Sequence, residues 1–556
     1  MLRPQPIAPI PEDTARVAHA AIPRGHPYLR MADEVGTLFI DEDFAPLFPT
    51  HGQPAVAPWR LALVTILQFA EGLSDRQAAH ALRTRIDWKY VARLELTDAG
   101  FDGSVLSEFR GRLVAGAAEA LLFDKLLHWC RARKLFTERG RQRTDSTHVL
   151  ASVRLLNRVE LVRETMRHAL DSLAVVAPAW LQPRAHPAWI ERYTGRSEER
   201  RIPTGKDARV ALALAIGADG DALLAAIYAA DAATVAWLRR IPAIDTLRRV
   251  WVQNYYHEGD HIHWRAEDHG IPPAAVFVSS PHDPDAHYAK KGATEWVGYK
   301  VHLTETCEDS LPSLITHVET TTGPVADGDM TPVIHQALEH KRLLPGTHLV
   351  DTGYLDAALL VSSERDFGVD LYGPTRADYH WQSQAGAGFA AKDFHIDWQE
   401  QHAICPEGRT SIGWTPAIDK RDNEVIKIKF STKDCRPCPS RALCYRATGK
   451  YQRRMVTVRR HPEFLALYAA RQRESADEFA ATYAMRAGIE GTLSRGVRRC
   501  RLRRTRYMGH ARVHLGHVLT AAAINFVRLG EWFTSVPRPK TRQSSFALLM
   551  AGSTAA

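Results

Sequence analysis

Across 556 residues no run of about 18 uninterrupted apolar side chains occurs. The opening stretch MLRPQPIAPIPEDTARVAHAAIP lacks the charged start and long apolar centre of an export signal. Both absences lead to the expectation of a cytoplasmic protein with no membrane span. Cysteine is scarce: seven residues, an odd number spread thinly, which excludes a secreted disulfide framework and points to reduced thiols. No internal repeat of about 20 to 50 residues is visible, which excludes a solenoid or propeller. Aromatic residues supply only 8%, but 45% of the chain is hydrophobic, so core-forming material is ample and disorder is confined to the ends. Acid is outnumbered, with 63 Asp and Glu against 72 Lys and Arg, a net +9 that favours a polyanionic partner without identifying one.

A chain of this length divides into several folding units. Residues 1–40, rich in Pro and Ala without a sustained period, read as an N-terminal arm. Residues 41–135 read as a helical DNA-binding domain. There WRLALVTILQFA forms an apolar helix closed by Gly72, and Ser74 with Gln77 makes a capping box that opens the next. A further helix starting near Ser104 buries Leu106, Phe109 and Leu113 and displays Arg110 and Arg112, either to a duplex or to solvent. From 136 to 375 strand and helix signals alternate as in an α/β core: RQRTDSTHVL, WVGYKVHLTET, LPSLITHVETTTG, the helical DMTPVIHQALEHKRLL, then HLVDTGYL. A mostly helical insertion covers about 155–285. Residues 376–460 form a β-rich, Cys-bearing insertion, 461–530 are strongly helical and basic, and 531–556 read as a flexible tail.

Three carboxylates stand out. Asp145 and Asp351 lie within or at the end of strands, where Asp is a poor former, and Glu490 lies on a helix. If a sheet brings the strand ends together beneath that helix, the three converge. Two such charges about 4 Å apart repel by roughly 4 kcal/mol at an effective dielectric near 20, so the cluster requires protonation or cations. An oxygen-only set suits Mg²⁺ or Mn²⁺. Taken singly, an Asp at a strand end is a turn or cap residue.

Tyr483, Arg486, Glu490 and Ser494 recur at helical spacing on one face, as a plain Arg486 to Glu490 ion pair also would. Beside them Arg495–Arg506 holds seven arginines, among them Arg495, Arg498, Arg499, Arg503 and Arg504, and no acid. Phosphate is the natural counter-ion, with a solvated basic face as the alternative. Cys405, Cys435, Cys438 and Cys444, in CPEG and CRPCPSRALC, can supply four thiolates to a structural Zn²⁺, with free thiols as the alternative. His510, His514 and His517 share a face without a carboxylate, which suits packing or phosphate contact. Lys300, Asp283 and Asp285 read as supporting or DNA-facing groups, the two acids equally as turn residues, and Asp327 as a turn residue.

Read together, TDSTHV, VGYKVHL, LVDTGYLD and the run from YAMRAGIEGTLSRGVRRC to INFVRL resemble, in this order, the DDE transposases of bacterial insertion sequences. The likeness extends from about Pro58 to the end and is closest to the branch with a Cys-bearing insertion before the catalytic Glu. It implies an RNase H-like catalytic core, α/β with insertions and preceded by the helical domain. Asp145, Asp351 and Glu490 would be the metal-binding triad. The family's Tyr, Arg, Glu pattern falls on Tyr483, Arg486 and Glu490, implying DNA contacts by the first two. The basic residue expected seven places after Glu is missing: Val497 stands there and Arg498 follows. The implied activity is cleavage and joining of double-stranded DNA, by a homodimer that brings two element ends together. A nuclease without joining activity, and a silent transposase-derived DNA-binding protein, are the rivals.

Overall fold

The structure is a computed structural model and describes residues 1–36, 38–194, 202–229, 232–384 and 388–536. Residues 1–40 are not an arm. They fold into α1 (Glu12–Ala21) and α2 (Pro27–Val35), whose Tyr28 and Met31 enter the main core. Small alanines in α1 leave little apolar period to read, which is why these helices escape the sequence. Next come α3 (Pro58–Glu71), α4 (Asp75–Thr84) and α5 (Ser104–Ala115). Gly72 ends α3 at φ 65°, and a Cβ there would lie 2.5 Å from the Arg499 carbonyl, so both conformation and space demand glycine. The Ser74–Gln77 capping box is formed in both directions.

The chain then enters β1 (Arg139–Leu150) and a helical insertion built on α6 (Arg158–Val176), α7 (Lys206–Tyr228) and α8 (Pro242–Asn254). These pack around a separate core that includes Met166, Leu223 and Trp251. By length and composition α7 is apolar enough to cross a membrane. The sequence reading found no such run because Asp219 and Asp221 interrupt it; both are paired, with Arg192 and Tyr193 and with His257 respectively. The pairing and the close approach of Gly220 to Trp251 mark α7 as a packed helix of the insertion.

Buried on α6, Glu164 accepts from His282 (2.8 Å) and Arg167 (3.0 Å). Burial alone would raise its carboxyl, but those two donors outweigh it and hold it down to about 2. A folded value below the unfolded one gives stability that is present above about pH 4.5 and is lost as pH falls towards 2. Glu164→Gln is therefore expected to lower the insertion's unfolding temperature at pH 7 and to cost progressively less towards pH 3. Thermal melts followed by tryptophan fluorescence at both pH values check this; an equal loss at both would refute it.

After the insertion come β2 (His287–Lys291), β3 (Thr294–Thr306), β4 (Ile315–Thr322), α9 (Met330–His340), β5 (Pro345–Leu349) and β6 (Asp370–Tyr372). With β1 they form one mixed sheet in the order β3, β1, β5, β6, the far edge of β3 carrying β2 and then β4 along its length. The β3–β1 pairing is antiparallel, and β1–β5 and β5–β6 are parallel. A smaller antiparallel sheet follows, β7 (Gly413–Ile418), β8 (Glu424–Lys429) and β9 (Met455–Arg459), over its own core around Phe430. The last elements are α10 (His461–Glu474), α11 (Asp477–Ala484), α12 (Gly488–Arg499) and α13 (His510–Phe533).

One continuous core joins α2, α3 and α5 to the inner face of the sheet and to α12 and α13. The expected tail from 531 is helical at its start, and 537–556 lie outside the described residues.

Candidate active site

Strand register brings the first two carboxylates together. Arg143 of β1 is level with Leu349 of the parallel β5, so two residues further on Asp145 and Asp351 come side by side on one face. At the end of β5, Asp351 turns the chain by accepting the Gly353 N–H at 2.8 Å. Asp145 accepts the Ser146 N–H at 2.7 Å. Helix α12 packs across β1 and β3 and carries Glu490 on its first turn.

Between the three carboxylates lies the guanidinium of Arg486. It stands 2.9 Å from Asp145, 3.8 Å from Asp351 and 3.8 Å from Glu490. The sequence reading took Arg486 as a DNA contact; here it is the cation on which the triad converges. Exposure grades outwards: the Arg486 and Asp145 side chains are 11% and 14% exposed, Asp351 31% and Glu490 68%, so the last forms the open rim. Burial pushes the Asp145 carboxyl above the usual carboxylate range, against Arg486 and the Ser146 N–H, which lower it. The Arg486 Nε is buried with no hydrogen-bond partner. Tyr483, half-buried, stacks on Phe479 with centroids 5.5 Å apart.

Three groups that matter here were not singled out by the sequence, or were given another role. Asp327 is no mere turn residue: it accepts from Lys300 (3.1 Å) and Ser146 (3.2 Å). A Cβ on Gly353 would lie 2.9 Å from Asp351 Oδ1 and 3.4 Å from Asp327 Oδ2, so Asp327 flanks the site directly. Burial opposes its ionisation, but Lys300, His302 and Lys291 together bring its carboxyl below the usual range. Tyr354, fully buried, bonds His302 Nδ1 at 2.6 Å, and burial holds that imidazole down to about 4.

Deepest is Glu305, fully buried on β3 opposite Arg143. It pairs with Arg143 at 2.6 Å and Arg528 at 2.7 Å and accepts from Thr492 at 2.6 Å. Burial raises its carboxyl, but Arg528 and then Arg143 win and hold it low. This cluster ties β1 and β3 to α12 and α13, and so fixes Glu490 relative to Asp145. The readable signal was an arginine two residues before Asp145, on the same strand face and opposite an acid.

The other expected contacts separate into committed and open groups. Arg110 is not displayed: it is buried, with both Asp75 oxygens at 2.6 and 2.8 Å and Gln68 at 3.2 Å. Arg112 pairs with Glu108 at 2.5 Å. Lys300 turns inward to Asp327 and the Val325 carbonyl. Arg495 makes a two-pronged pair with Glu531, at 2.9 and 3.1 Å. Arg503 donates to Thr147 at 2.9 Å, and the backbone of Arg503 and Arg504 runs beside the end of β1. Arg498, Arg499, Arg503 and Arg504 are exposed. His510, His514 and His517 converge on Thr320, the packing role. Asp283 and Asp285 accept the N–H groups of Gly509 and His510 and so cap α13.

Cys405, Cys435, Cys438 and Cys444 line one small cavity. Among the described residues no three or more His, Cys, Asp or Glu side chains stand together at metal-ligand spacing, here or at the carboxylates.

Residues 16–112 match a family described as a transposase domain (DUF772), and residues 404–530 match one described as a transposase DDE domain. The second span contains Glu490, Arg486 and the four clustered cysteines; Asp145 and Asp351 lie outside both. No curated protein and no solved structure matches the chain. The matches and the converging acids define a transposase, an enzyme of DNA recombination. Both matched families are transposase families, and DDE transposases generally use divalent metal ions.

Proposed function

We propose that Asp145, Asp351 and Glu490 are the catalytic triad and hold Mg²⁺ or Mn²⁺ for cleavage and joining of double-stranded DNA. The observation that carries this reading is the single guanidinium reached by all three carboxylates. Side chains gathered around one cation already have the donor chemistry for another. The unpartnered Arg486 Nε fits a side chain able to change partners. The sheet order, three antiparallel strands followed by two parallel ones, supports an RNase H-like core. The Cys-bearing segment before Glu490 supports the branch with that insertion. The domain division proposed is 41–135 helical, 136–375 catalytic core, 376–460 Cys-bearing insertion, and 461–530 catalytic and basic helices.

When bound, divalent cations would polarise the phosphodiester and make the attacking oxygen more acidic. The chain's own part is positional. Asp145 and Asp351 are set by strand register, and Glu490 by the Glu305 cluster beneath α12. Asp327, neutralised by Lys300, keeps a further carboxylate from adding its charge to the site. Exposed Arg498, Arg499, Arg503 and Arg504 offer phosphate contacts beside Glu490. Water first attacks a phosphodiester at the element end and frees a 3′ hydroxyl. That hydroxyl then attacks the target strand, with no covalent protein intermediate. Two ends require two active sites, hence a homodimer, and a cytoplasmic location gives access to DNA.

The test is a joining assay with the full chain, Mg²⁺ or Mn²⁺, a duplex carrying the inverted repeats that flank the gene, and a supercoiled target. Joined products are expected. Cleavage without joining would establish the nuclease reading instead, and no cleavage with either ion would overturn the catalytic assignment.

A further inference from the structure

The four clustered thiols take no part in the chemistry above, yet they come from three separate segments. Cys405 sits in a tight turn where the Gly408 N–H bonds the Cys405 carbonyl at 2.8 Å and the Arg409 N–H reaches the Cys405 sulfur at 3.3 Å. Cys435 and Cys438 form a CxxC turn, with the Cys438 N–H on the Cys435 carbonyl at 3.4 Å. Cys444 ends the short helix Arg441–Cys444. All four face one cavity of about 30 Å³, walled on its apolar side by Phe430 and Tyr445. That is space for one ion or water, not for an organic ligand. All four are free thiols.

The surrounding unit needs a staple. Its core contains nine buried residues under a three-stranded sheet and a two-stranded hairpin. Units of roughly 70 residues with so small a core are ordinarily held by disulfides or a structural metal. In a reducing compartment the metal is the available choice.

We propose that Cys405, Cys435, Cys438 and Cys444 form a structural zinc site that cross-links the β-rich insertion, closed on four sulfurs and remote in role from the carboxylates. A soft, all-sulfur tetrahedral set selects zinc over magnesium or manganese, so the two metal requirements of the chain are chemically distinct. The sulfurs do not yet stand at ligand spacing. Holding an ion would require the Cys405 turn and the CxxC turn to move inward until all four sulfurs reach it. The Arg409 N–H already aimed at Cys405 supplies the outer hydrogen bond that steadies a thiolate.

The experiment is elemental analysis of the full chain purified without chelator from zinc-supplemented medium. About one zinc per chain is expected. Cys435→Ser and Cys438→Ser should lose it, and Cys130→Ala, a change in the main core, should keep it. So that the result does not depend on the folding of the serine variants, the parent protein is also alkylated with iodoacetamide and mapped by mass spectrometry. Chelator should expose Cys405, Cys435, Cys438 and Cys444 together. Cobalt exchange should give the sulfur-to-cobalt charge-transfer absorption of a tetrahedral thiolate site. Absence of zinc with chelator-independent alkylation of the four thiols overturns the proposal, as does zinc retained by both serine variants. None of these readouts depends on DNA cleavage, so failure here leaves the catalytic reading intact.

Discussion

Asp351→Asn is expected to reduce strand cleavage by about 10³-fold or more while leaving the fold and DNA binding close to those of the parent. The substitution is nearly isosteric. Asparagine keeps the oxygen that accepts the Gly353 N–H, so the turn ending β5 survives. Arg486 keeps its closest partner, Asp145 at 2.9 Å, so the guanidinium stays anchored. What disappears is one negative charge at the proposed cation site. A charge-stabilising contribution of about 4 kcal/mol at the transition state corresponds to the stated loss of rate. The exposed arginines from Arg498 to Arg504 are unaltered, so duplex affinity and its salt dependence should not move. Cleavage of a pre-nicked or intact end in Mg²⁺, beside a gel-shift titration, makes the comparison. A variant that cuts within about tenfold of the parent would remove Asp351 from the metal site.

Much of the centre was open to sequence reasoning because register carries it. Once RQRTDSTHVL and HLVDTGYL are read as strands, parallel pairing places Asp145 and Asp351 on one face, and a helix bearing Glu490 only has to cross them. The capping box at Ser74 and the glycine stop at Gly72 were equally legible, since both are local and have fixed chemistry. What escaped was pairing across long separations. Arg110 shares its helix with Arg112, but its partner Asp75 lies on a different helix, and only tertiary packing reveals that the charge is spent inside. Glu305 and Arg528 are separated by 223 residues. Asp327 reads as a turn because its neighbours are turn formers; Lys300, which neutralises it, is a strand away. The two helices at the start escape for a different reason: α1 is alanine-rich and α2 spans only nine residues, too few turns to establish a period.

Removing the guanidinium gives the second large effect. In Arg486→Ala, Asp145 and Asp351 face each other with no counter-ion, and the Asp145 carboxyl is already raised by burial. The metal-free protein should lose about 3 kcal/mol of stability, the low end for a broken buried pair because Glu490 and part of Asp351 remain in water. The same vacancy favours a divalent cation. In the parent a divalent cation entering the triad meets the Arg486 positive charge, a repulsion of roughly 8 kcal/mol at a separation of about 4 Å and an effective dielectric near 20. The variant lacks that competitor. Mn²⁺ should bind the DNA-free variant at least about tenfold tighter, and Mn²⁺ should raise its melting temperature more steeply than the parent's. Arg486→Lys should fall between, since a point charge on a thinner stem covers fewer of the three acids. Calorimetric titration and paramagnetic resonance of bound Mn²⁺ give the readout without asking for turnover. Unchanged or weaker Mn²⁺ affinity in the alanine variant would show that Arg486 is not the triad's resident counter-ion, and the three short distances would then be a salt-bridge network with no bearing on metal loading.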